Sequence, residues 1–113
     1  MSSGDKTTIA PDILVTIARL TALSVPGVSQ LADEPPSVNR LLRKDMGGGV
    51  QIEVRDDAVY ASINVVLDHD VNVREVSHNI QHQVMRAISE MVGMQVRQVD
   101  IHIADIDYSE VSK

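Results

Sequence analysis

His78 and His82 stand four positions apart in a segment of helical spacing, which puts both imidazoles on one helical face within reach of a single metal ion. A protein metal site of that kind needs a third ligand, and the neighbours Arg74, Gln81 and Arg86 offer none. There is no cysteine and no HExxH pattern. His78 and His82 are therefore the metal candidates of the chain, or a pH-responsive pair. Weighed against a solvated helix face, the expectation is the solvated face, with no resident metal and no cofactor.

A second set of acids offers hard-cation chemistry. Asp68, His69 and Asp70 close one apolar alternating run, and Asp105 and Asp107 close another. If those runs are parallel strands, the acids gather at one end of a sheet, where Ca²⁺ or Mg²⁺ would find oxygen ligands. The spacing is not that of an EF-hand, so the acids read as solvated strand ends. Arg40, Arg43 and Lys44, beside Leu41, Leu42 and Met46, form a short basic amphipathic segment and are the candidate contact residues for a partner. The plainer reading has the leucines docked on a sheet edge.

Gly47-Gly48-Gly49 precedes a strand, whereas a phosphate-cradling loop follows a strand and opens a helix. No serine lies in a GxSxG arrangement, so that pattern does not support a nucleophilic enzyme. The chain is read as a non-enzyme.

Composition narrows the class further. The 113 residues match the size of one domain, with 43% hydrophobic and 23% charged residues, as in globular proteins. Tyr60 and Tyr108 are the only aromatic side chains besides histidine, so the core must be aliphatic and base stacking has little to work with. A net charge of −6 disfavours nucleic-acid binding, which draws its non-specific affinity from Lys and Arg. With no apolar run near the ~20 residues of a membrane span and no secretory signal, the cytoplasm is the expected compartment.

The elements that must position these residues follow from periodicity. Pro11 to Ser24 reads as an amphipathic helix with Ile13, Ile17, Leu20 and Ser24 as its inward stripe, widened by Leu14, Ala18 and Thr21. Pro11 suits the first helical position and Asp12 the positive end of the dipole; Pro26-Gly27 ends the element. Val28 to Leu31 reads as a short strand, and Asp33 to Gly49 as a loop containing a helical turn. A hairpin turning at Asp56-Asp57 pairs Val54 with Val59, Ile52 with Ala61 and Val50 with Ile63 on a buried face, continued by Val65 and Leu67.

Asn72 and Glu75 form the capping signature of a second helix, with Val71 and Val76 placed as a hydrophobic staple. Val73, Val76, Ile80, Val84, Ala87, Ile88 and Met91 keep helical spacing to a terminating Gly93. The last strand covers Gln95 to Ile106, with Val99, Ile101 and Ile103 inward and Asp100 and His102 outward. The helix is long enough to carry the chain back, so this strand should run parallel to Val59–Leu67. The predicted fold is a small α+β, two-layer sandwich with a mixed sheet and both helices on one face, in a single domain over residues 8–108 with tails at 1–7 and 109–113.

Ile9-Ala10-Pro11-Asp12-Ile13, Ile17-Ala18 and Val25-Pro26-Gly27-Val28 resemble the opening of the alkaline shock protein and general stress protein family of bacterial envelope stress proteins. Gly49 to Val54, Val71 to Val76, Ile80-Gln81, Met91-Val92-Gly93-Met94 and Val99 to Ile103 are similar to that family's strand, helix and strand pattern in the same order. The resemblance spans about Thr7 to Tyr108. Ala10 departs from the Ser or Thr often found there, and Met91-Val92-Gly93 from a common Met-Thr-Gly, which puts the strength of the helix caps in doubt. The resemblance implies a non-enzymatic cytoplasmic protein that assembles with itself or with membrane-anchored relatives and supports the envelope under alkaline or cell-wall stress. Direct membrane insertion is not expected. The element order is also similar to K-homology-like RNA-binding folds, but the GxxG loop and stacking aromatics of such domains are missing. A regulator of a neighbouring metabolic enzyme is a third reading.

Overall fold

A computed structural model describes residues 11–32, 46–47 and 49–109. The elements run α1 (Pro11–Ser24), β1 (Val28–Leu31), β2 (Met46–Gly47), β3 (Val50–Arg55), β4 (Ala58–Asp68), α2 (Val73–Val92) and β5 (Gln95–Asp107). They form an α+β sandwich of two helices on one five-stranded mixed sheet. The central strand is β4. On one side it pairs antiparallel with β3 and, further along, with β1; on the other it pairs in parallel with β5.

The hairpin follows from its turn. Asp56 and Asp57 both have positive φ, 52° and 65°, the conformation a two-residue hairpin loop adopts to match strand twist. The resulting register pairs Val54 with Val59, Ile52 with Ala61 and Val50 with Ile63, as the alternation requires. Val54 is the exception to burial. It is 42% exposed while Val59 opposite is fully buried, because inward alternation buries a side chain only where a second layer covers it.

Asn64 is the pivot of the sheet. Its carbonyl accepts from the Ala32 N–H and its own N–H donates to the Gly49 carbonyl, both at 2.9 Å, so β1 and β3 share one edge of β4 end to end. Gly49 sits at that junction with φ +90°, and a Cβ there would lie 2.5 Å from the Ala32 carbonyl oxygen. Only glycine fits.

The second helix is delimited at both ends by local chemistry. The Asn72 side chain accepts from the Glu75 N–H at 2.9 Å, and Gly93 at φ 72° closes the C-terminus with its N–H on the Ser89 carbonyl. Val76, Ile80, Val84 and Ile88 are its buried row, whereas Val73 and Met91, counted with that row by spacing, are exposed at the two ends. Val71 and Val76 both pack around Gly27, so the helix start is stapled to the turn after α1.

The first helix has the predicted bounds, but its inward face is the widened flank of the predicted stripe and not the stripe's centre. Leu14, Val15, Ala18 and Ala22 are buried, while Ile13 is exposed, Leu20 is 59% exposed and Ile17 is half-buried. Eight of the fourteen residues of PDILVTIARLTALS are apolar, so spacing alone does not choose an arc. Packing chooses the one with two alanines, whose small side chains let the helix approach its neighbours closely.

Candidate functional site

Three features of the described surface are built well enough to hold or recognise something, and each depends on register. The first is the sheet face away from the helices. Glu53 stands opposite Tyr60 and Gln51 opposite Ser62. The Arg55 guanidinium lies 4.2 Å from the centre of the Tyr60 ring and 3.2 Å from the Glu53 carboxylate. Arg55 and Tyr60 are diagonal neighbours across the hairpin, close enough for a long side chain to span. A shallow polar depression runs from here over Ser62 to Gln98 and Asp100.

The second feature is the acidic end of the sheet. Parallel pairing places Asp68 beside Asp107 and Asp105 beside Val66, so the two acidic strand ends do converge. Asp107 is engaged by serines: the Ser109 N–H donates to its carboxylate at 2.8 Å and the Ser29 hydroxyl donates to the other oxygen. Hydrogen bonds from the Ser109 side chain, then from the Ser29 hydroxyl and the Ser109 backbone, hold the carboxyl at about 2, below its ordinary 3.8, with a smaller contribution from the His69 charge and slight opposition from burial. His69 stacks on Tyr108 with ring centres 5.8 Å apart. The arrangement ties β1 to the end of β5. Among the described residues, no three His, Asp or Glu side chains come together to hold a metal ion.

The third is the groove between α2 and β5. His78, His82 and Met85 line it from the helix, and Arg97, Gln98 and Asp100 from the strand. The Gln81 amide bridges the two elements by donating to the Val99 carbonyl at 2.9 Å. Both histidines are exposed. The basic residues Arg40, Arg43 and Lys44, and the loop they occupy, lie outside the described residues.

Sequence reasoning missed the Ser29–Asp107 bond and the Gln81–Val99 bridge. The first joins residues 78 positions apart and carries no local signal. The Arg55–Tyr60 contact was within reach, since the hairpin register puts both residues on one face.

The sequence that builds these features matches a known family. Residues 2–108 match the alkaline shock protein 23 family, described as having a cell envelope-related function. The chain belongs to that family. Relatives of this chain include the uncharacterized protein YqhY of Bacillus subtilis (strain 168), 25% identical over 105 residues that cover 91% of this chain and 78% of the relative. The uncharacterized protein Spy1535 of Streptococcus pyogenes serotype M6 is 31% identical over 99 residues, 87% of this chain and 76% of that one. Among solved structures, two forms of the MamM CTD, one of them a copper form, align with a TM-score of 0.55 and 12% identity over 87% of this chain and 100% of theirs. At that identity the likeness is one of fold. No described helix is long and apolar enough to cross a membrane.

Proposed function

We propose that this alkaline shock family protein is a non-enzymatic docking module of the cell envelope response, assembling with itself or with a membrane-anchored relative on the cytoplasmic side. The observation that carries the reading is the one-sided sandwich. Both helices pack on the same sheet face, and among the described residues the opposite face is covered by no other element and no other strand pairs with the outer edge of β5. The open face presents ordered charged and aromatic groups in a shallow depression, a form suited to contact with another macromolecule. Family membership adds the envelope connection. Support under alkaline or cell-wall stress is the physiological role the resemblance implies.

Light scattering over a range of concentrations, paired with affinity capture from membrane fractions of the native cell, tests this. The expected result is concentration-dependent assembly or recovery of a membrane-anchored protein carrying the same domain. A chain that stays monomeric at high concentration and retains no envelope protein refutes it.

A further inference from the structure

The outer edge of β5 is thirteen residues long, and among the described residues no strand pairs with it. Long unpaired edges are normally shortened, bulged away, charged or covered, because they offer a row of backbone donors and acceptors to another strand. This edge carries two bulges and several charges, yet its inward row is symmetric about the strand's midpoint. The side chains of β5 that pack against the core are Val96, Val99, Ile101, Ile103 and Ile106. Read outward from Ile101, they lie at the same offsets from it, two and five residues, in both directions.

The two register shifts against β4 flank this centre without mirroring each other, skipping Arg97 four residues before Ile101 and Ala104 three residues after it. One lies between Val59 and Tyr60, where Val96 is followed in the pairing by Gln98; the other lies between Val65 and Val66, where Ile103 is followed by Asp105. Antiparallel pairing of β5 with β5 of a second copy, centred on Ile101, nonetheless keeps every inward position opposite an inward position: Val99 against Ile103 and Val96 against Ile106. A one-residue slip would set core positions against outward ones.

Charge agrees with the same register. Asp100 falls opposite His102, both exposed on the open face, and Arg97 falls opposite Asp105. Each pairing occurs twice across the two-fold axis, since an isologous interface repeats every contact. The half-buried Ile101 and Ile103, at the margin of one core, would meet the same row from the partner. A two-fold axis perpendicular to the sheet keeps both helix layers on one side.

We propose that a second copy of this chain occupies the β5 edge, joining two sheets into one continuous sheet through antiparallel β5–β5 pairing centred on Ile101. The inference deepens the docking role above and names its occupant.

Because the chain has no cysteine, a single introduced thiol reports one position. Directly opposed residues in antiparallel strands lie ~4.5–5.5 Å apart at Cα, within disulfide range, whereas diagonal neighbours at ~7–8 Å are outside it. Asp100→Cys and His102→Cys proteins, mixed and oxidised, should form the mixed disulfide at least about tenfold more than either forms with itself. Asp100→Lys should weaken dimerisation about tenfold, and Asp100→Lys combined with His102→Asp should restore it, with unchanged thermal unfolding showing that the exposed substitutions leave the fold intact. Assembly that persists without the mixed disulfide overturns the β5 register and leaves the docking role standing. A monomer at every concentration overturns the β5 pairing, while capture of a membrane-anchored relative by that monomer would still uphold the docking role.

Discussion

Replacing Gly49 with alanine should damage the fold far more than the same change at Gly93, although both glycines have positive φ, +90° and +72°. At Gly93 a Cβ meets nothing within 4 Å, so the cost is conformational, about 1 kcal/mol. At Gly49 the Cβ would lie 2.5 Å from the Ala32 carbonyl oxygen and 3.1 Å from that of Asn64, both backbone atoms that no side-chain rotation can move. Relief requires the β1–β4–β3 junction to open. That endangers the Ala32–Asn64 and Asn64–Gly49 hydrogen bonds, each contributing about 1 kcal/mol.

Adding about 1–3 kcal/mol for the strained backbone brings Gly49→Ala to roughly 3–5 kcal/mol. The gain from a stiffer unfolded chain is common to both alanine variants and cancels in the comparison. At about 4 °C per kcal/mol for a domain of this size, Gly49→Ala should melt roughly 10–20 °C lower than the native protein and Gly93→Ala roughly 4 °C lower. Urea unfolding at one fixed protein concentration, with unchanged slope, measures the same difference and keeps any assembly constant. If the two variants fall within about 1 kcal/mol of each other, the account of the junction as a steric constraint is wrong.

Three further outcomes follow from named contacts. Asn72→Ala removes the acceptor of the Glu75 N–H and should cost about 1 kcal/mol, read as a lower urea midpoint; an unchanged midpoint removes the cap from the account. Ile80→Ala, at a fully buried position on α2, should cost about 2–5 kcal/mol, while Met91→Ala, 70% exposed on the same helix, should stay within about 0.5 kcal/mol in the same melts. Asp107, held at about 2 against an ordinary 3.8, favours the folded state above pH 3.8, and that contribution is lost as pH falls from there through 2. Ser29→Ala should raise the Asp107 carboxyl in an NMR titration and shrink that acid-side loss; an unmoved titration would show that the Ser29 hydroxyl does not hold it.

Much of this architecture is decided within short stretches of chain. The Asp56-Asp57 turn, the Asn72 and Gly93 caps and the period-two and helical spacings act through neighbours a few residues apart, so the hairpin register and the second helix are legible in the sequence. The bulges of β5 are written there too, as interruptions of alternation at Arg97-Gln98 and Ala104-Asp105. Other features needed the assembled fold. The inward arc of α1 is set by which side chains let it approach its neighbours, and Ala18 and Ala22 won over the larger Ile13 and Leu20. The exposure of Val54 depends on how far the second layer reaches, and the Ser29–Asp107 bond on two strands that meet only after β4 has formed between them. Local forces thus specify elements and register, while competition among non-local contacts for one buried layer determines which faces meet and which remain at the surface.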